Sequence, residues 1–178
     1  MENIDQRVGL FVDVSNMYHS AKHLYKSKVN FGRILKEAVG RRKLIRAIAY
    51  VIKAKSLDEE NFFEALAKQG FEIKAKDLQI FFGGQKKGDW DIGLTIDTII
   101  LADKLDTVVL VTGDGDFADL VKYLKINKGC FVEIMAFGES CSSKLKEEAD
   151  RFIDLSKDKR KFLLSNRSRS KIKKRRRK

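Results

Sequence analysis

Short β-rich apolar runs recur along this chain at residues 8–14, 44–52, 107–111 and 130–137, and the segments between them carry helical periodicity. Runs of five to nine residues rich in Val, Ile and Phe suit strands covered on both faces, and strands separated by helices join in one sheet through crossovers. The expected class is therefore α/β, with a mainly parallel central sheet and helices on both of its faces. The helices are expected from residue 15 or 16 to about 26, over 31–39, from about 90 to 104, from 116 to 126 before the Gly129 stop, and over SSKLKEEA. Ser56 and Glu59 make a capping box ahead of NFFEALAKQ, and Gly70 suits that helix's exit into a strand at FEIKA. RFIDL is expected to be a short last strand, and the chain has no proline and no internal repeat.

A chain of 178 residues that is 43% hydrophobic can bury one core of ordinary size, so a single domain is expected over residues 1–155. Thirteen of the 37 lysines and arginines follow Leu155, with Asp158 the one acid there among 25, so the preceding body holds 24 of each sign. Residues 156–178 are expected to be a disordered basic tail, because Phe162, Leu163, Leu164 and Ile172 alone cannot repay the entropy of ordering it. Its closing lysines and arginines (Lys173, Lys174, Arg175, Arg176, Arg177 and Lys178) suit a polyanion, whose phosphates they would neutralise with release of counterions. The alternative is a solvated run that aids solubility. Cys130 and Cys141 have no paired spacing, the first residues carry two acids and no leader pattern, and no run approaches the ~18 apolar residues of a membrane span. A reduced cytoplasmic setting is the expectation.

Asp13 closes the first apolar run, and Asp114 and Asp116 follow the third in VTGDGD. In open α/β sheets ligands bind beyond the carboxyl ends of the strands, where the strand order reverses, so these aspartates converge if the two strands are neighbours. Carboxylates so gathered repel one another unless a divalent cation lies among them. Asn16, one helical turn past Asp13, offers a neutral amide at the same mouth, and Thr112 a hydroxyl for an incoming oxyanion. Gly113 and Gly115 permit a tight turn around Asp114. Asp89 and Asp91 stand where a helix begins, so capping alone accounts for acids there. Asp97 lies roughly 120° around that helix from Asp91, so one of the two would bind a metal and the other a water, Lys87 or another partner. Trp90, Phe81 and Phe82 could stack on bases or pack in the core. His19 and His23, four apart, lack the glutamate of a zinc-protease motif.

Together FVDVSNMYHS, KGDWDIGLTID and VTGDGDFADLV resemble the LabA-like branch of the NYN domain family of PIN-like nucleases, over roughly residues 7–155. The resemblance implies a three-layer α/β/α PIN-like (Rossmannoid) fold, an acidic pocket for Mg²⁺ or Mn²⁺ and, in active members, hydrolysis of RNA. By motif position it implies Asp13, Asp91, Asp114 and Asp116 as the catalytic, metal-binding set, with Asn16 and Asp97 in support and Thr112 beside them. The expected partner is single-stranded RNA, held also by Lys87 and the tail, and a homo-oligomer is compatible with the chain. A binding module that grips RNA without cutting it is the alternative. A haloacid-dehalogenase-type phosphatase fits less well, because Thr112 and Gly113 separate the strand from Asp114 and Ser15 stands where a second aspartate would follow Asp13.

Overall fold

The computed structural model of the chain describes residues 4–53, 57–80, 86–87 and 89–164. Ser56, Phe81, Phe82 and the tail residues from Lys173 to Lys178 lie outside these. The strands are β1 (Arg7–Asp13), β2 (Lys43–Lys53), β3 (Glu72–Asp77), β4 (Gln79–Ile80), β5 (Lys86–Lys87), β6 (Thr107–Val111), β7 (Phe131–Ala136) and β8 (Arg151–Asp154). The helices are α1 (Val14–Tyr25), α2 (Phe31–Val39), α3 (Leu57–Lys68), α4 (Asp91–Ala102), α5 (Ala118–Lys128), α6 (Ser143–Glu148) and α7 (Lys159–Phe162). Six strands form one sheet in the order β3-β2-β1-β6-β7-β8, with every pairing parallel. The order reverses between β1 and β6. The antiparallel pair β4-β5, which the periodicity did not disclose, stands apart from this sheet and includes Lys87 through its backbone pairing with Gln79.

Alternation along the strands divides the apolar side chains between two layers. Leu10 and Val12 face α1, α2 and α3, whose Met17, Ile34 and Leu66 fill one core, while Phe11, Ile48 and Leu110 face α4, α5 and α6 through Leu94, Leu124 and Leu145. This is the expected α/β/α sandwich. Helix ends follow local chemistry: Asn30 caps α2 by accepting the Arg33 N–H, and Gly129 ends α5 at φ 67°, a left-handed conformation that glycine adopts without strain.

Residues 156–164, expected within the tail, instead fold onto the body. A 3-10 turn (Leu155–Asp158) leads into α7, and Phe162 is 4% exposed in the same core as Val29 and Phe31. The Asn30 N–H donates to the Phe162 carbonyl at 2.8 Å and the Leu164 N–H to the Lys28 carbonyl at 2.8 Å. One buried aromatic and these backbone bonds order the segment, while Lys159 and Lys161 point outward to Glu139 and Glu37.

Candidate active site

Asp13 is the last residue of β1 and the cap of α1, its Oδ1 accepting the Asn16 N–H at 3.0 Å. Because Val12 lies opposite Val111, the exits of β1 and β6 are side by side at the point where the strand order reverses. Asn16 joins them, its Oδ1 accepting the Gly113 N–H at 2.9 Å. The next residues turn back sharply. Thr112 is fully buried and its Oγ1 accepts the Asp114 N–H at 3.2 Å, so it shapes the turn from beneath. Asp114 then caps a 3-10 turn (Gly115–Phe117), accepting the Asp116 N–H at 3.0 Å and leaving Asp116 exposed at the rim.

Neither Gly113 nor Gly115 has a positive φ, so the reason for glycine here is space rather than backbone freedom. A Cβ on Gly113 would lie 3.1 Å from the Ser140 carbonyl oxygen, and one on Gly115 would lie 2.6 Å from Ser142 Oγ. The loop after β7 closes over the turn, and the Ser142 N–H donates to the Gly113 carbonyl at 2.9 Å.

Asp91 is the first residue of α4 and half-buried, brought to the rim by the packing of its neighbour Trp90. The indole N–H donates to the Val51 carbonyl at 2.9 Å, the ring meets Tyr50 edge-on at 5.2 Å, and a Cβ on Gly93 would come within 2.6 Å of it. Of the two readings for Trp90, packing holds. Asp97 turns away toward β2 and β3, where its Oδ2 accepts from Tyr50 Oη at 2.8 Å and pairs with Lys74 Nζ at 2.6 Å.

The charges at the rim are unbalanced. Burial, reinforced by Asp91 and Asp114, pushes the Asp13 carboxyl up to about 6, against the opposing bond from the Asn16 N–H. Burial also raises Asp91, with Asp89, Asp114 and Asp116 adding repulsion and Lys76 alone among its main neighbours opposing it. Lys76 sits with Nζ 4.2 Å over the Trp90 ring and donates to the Asp89 carbonyl at 3.3 Å. Among the described residues, no three His, Cys, Asp or Glu side chains form a closed cluster for an ion, so the aspartates make an open acidic rim. His19 and His23 are exposed on α1. Lys76 and Ser142 are additions to the residues read from sequence. The alternation KAK at 74–76 was a signal for Lys76, since it sets two lysines on one face of β3.

The NYN domain family matches residues 7–156, from the first strand through the last. The chain belongs to the NYN domain family. This NYN domain is similar to the low amplitude and bright protein LabA of Synechococcus elongatus, with 26% identity over 160 residues and 84% of each chain covered. It is also similar to the crystal structure of VPA0982, a protein of unknown function from Vibrio parahaemolyticus, with a TM-score of 0.84, 30% identity, and coverage of 92% of this chain and 99% of the other. NYN domains are PIN-like nucleases, which supports an RNA-related nuclease or binding role for this NYN domain. No helix among its described residues is long and apolar enough to cross a membrane, and Cys130 and Cys141 are buried and unbridged.

Proposed function

We propose that this NYN domain is a Mg²⁺- or Mn²⁺-dependent endoribonuclease that hydrolyses phosphodiester bonds of single-stranded RNA in the cytoplasm. The observation that carries the reading is the uncompensated negative charge where β1 and β6 adjoin: the Asp13 carboxyl is pushed up to about 6 by burial and by its acidic neighbours. A fold that tolerates such repulsion gains from a cation placed within it. The donors fit, since Asp13, Asp91, Asp114 and Asp116 offer oxygen alone, the preference of hard divalent ions. When bound there, such an ion supplies charge neutralisation at the scissile phosphate and an acidified water.

The residues of the chain divide the remaining work. Asp13 and Asp114 are oriented by the backbone N–H groups they cap, and Asn16 locks the two strand exits at a fixed spacing. In this reading Asp116, exposed at the rim, orients the attacking water, and Lys76, whose charge opposes the repulsion on Asp91, receives a flanking phosphate. Lys87 and the cations from Lys173 to Lys178 add phosphate contacts that carry no sequence preference.

The test is labelled single-stranded RNA incubated with purified protein in Mg²⁺, Mn²⁺ or chelator, beside Asp116→Asn. Cleavage that needs the metal and Asp116 supports the reading; equal cleavage by Asp116→Asn overturns it. The open form of the rim favours one second reading, an RNA-binding module without chemistry. Tight RNA binding with no cleavage in either metal would select it.

A further inference from the structure

A basic groove of about 440 Å³ lies where α2 meets the segment that contains α7. Asn30 and Arg33 line it on one side, and Asp158, Arg160, Lys161 and Leu163 on the other. Two distant stretches build it, joined by the Val29–Leu163 bridge and by the Ser27 hydroxyl, which donates to the Leu164 carbonyl at 3.0 Å. Both stretches are basic. Residues 14–36 carry five lysines and arginines and no acid, and residues 157–164 carry four against the one acid Asp158.

Internal pairing leaves part of this charge over. Lys161 is taken by Glu37 and Lys159 by Glu139, and the Asp158 carboxylate accepts the Lys161 N–H at 3.2 Å. Arg33 and Arg160 are exposed and, among the described residues, pair with no carboxylate. Two guanidinium groups lining one cleft suit an anion with several oxygens, such as phosphate. The chain's own end is no candidate, since residues 165–178 hold nine cations and no acid and would be repelled. They extend the same attraction past Leu164 instead. A flat lipid surface does not enter a cleft, whereas the backbone of a single strand can follow a positively charged groove.

We propose that this groove binds backbone phosphates of an RNA strand at a second site, separate from the acidic rim; the choice of RNA rests on the nuclease reading. The twelve residues of α1, about 18 Å end to end, lead from Asp13 toward it. The test is binding of a labelled single-stranded oligonucleotide to the full-length protein in chelator, over a salt series, with thermal unfolding as a fold check. Inorganic phosphate in calorimetry and phosphatidylserine vesicles form separate arms. Arg33→Ala combined with Arg160→Ala is expected to weaken RNA binding about tenfold and to flatten the salt slope by about 1.4 units, the share of two phosphates on a single strand. Lys122→Ala, which removes an exposed cation from α5 in the opposite helical layer, is expected to change neither. Unchanged RNA affinity in the double variant, an equal loss in Lys122→Ala, or a loss confined to inorganic phosphate or to vesicles would overturn the proposal. Cleavage is not the readout, so a chain that binds RNA through these arginines and never cuts it would overturn the nuclease reading alone.

Discussion

The two edges of the central sheet treat charge in opposite ways. At the amino edge, opposite charges are matched: Arg7 holds Asp106 through a 2.8 Å ion pair and a backbone N–H bond, lowering that carboxyl to about 2. Glu133, on β7, is 1% exposed and bonded by Arg42 at 2.9 Å and Arg151 at 3.3 Å. At the carboxyl edge, Asp91 and Asp114 repel Asp13, and Asp89, Asp114 and Asp116 repel Asp91, with Lys76 as the cation among the main influences on Asp91. Matched charge fixes the scaffold. Unmatched charge costs stability in the free protein and becomes favourable only when something positive arrives, so the contrast separates residues that hold the fold from residues that act.

The contrast breaks most visibly at Glu133. Glu133→Gln leaves Arg42 buried without its counter-charge and should destabilise the protein by about 3 kcal/mol or more, read as a lower urea midpoint. An unchanged midpoint would remove the distinction between the edges. At the acidic edge, Asp114→Asn or Asp116→Asn should reduce metal-dependent cleavage by about a hundredfold or more, with the unfolding temperature equal or higher. Asp13→Asn sharpens the comparison through pH. A raised folded-state value means that the wild-type contribution is full below the ordinary aspartate range and lost as pH rises through about 6. Metal-free Asp13→Asn should therefore gain stability at pH 8, up to about 3 kcal/mol, and gain none at pH 4; thermal melts at the two values decide it.

Smaller effects distinguish the two acids of α4. Asp91→Asn should weaken Mn²⁺ binding in calorimetry, whereas Asp97→Asn should leave it and cost about 1 kcal/mol through its bonds with Tyr50 and Lys74. The reverse ranking would place Asp97 at the metal. Truncation after Leu164 should leave stability unchanged while flattening the salt dependence of RNA affinity by about four units, if about six of the removed cations meet phosphates.

Much of this was legible in the sequence because it is local. TVVLV at 107–111 is a fully buried strand, Phe31–Val39 is the helix its spacing predicts, and Gly129 ends α5 as expected. What sequence did not supply depends on who is adjacent. The pairing of β1 with β6 joins residues about a hundred positions apart, and the reason for glycine at 113 and 115 is the loop that carries Ser140 and Ser142. Asp97 demanded a partner from its apolar surroundings, but only the β2-β3 pairing brings Tyr50 and Lys74 together to meet it. Residues 156–164 depart from what their charge density implies because one phenylalanine, Phe162, has a place in the core.

Asp13 and Asp114 each serve two masters, since the carboxylate that faces the rim also caps the turn behind it. Replacing either by alanine removes a repelling charge, which strengthens the fold, and a helix cap, which weakens it by about 1 kcal/mol. The two changes oppose each other, so an alanine variant can melt at the wild-type temperature while both interactions are gone. Asparagine keeps the cap and discards the charge, and the difference between the two substitutions at one position separates the energy of the helix end from that of the crowded carboxylates.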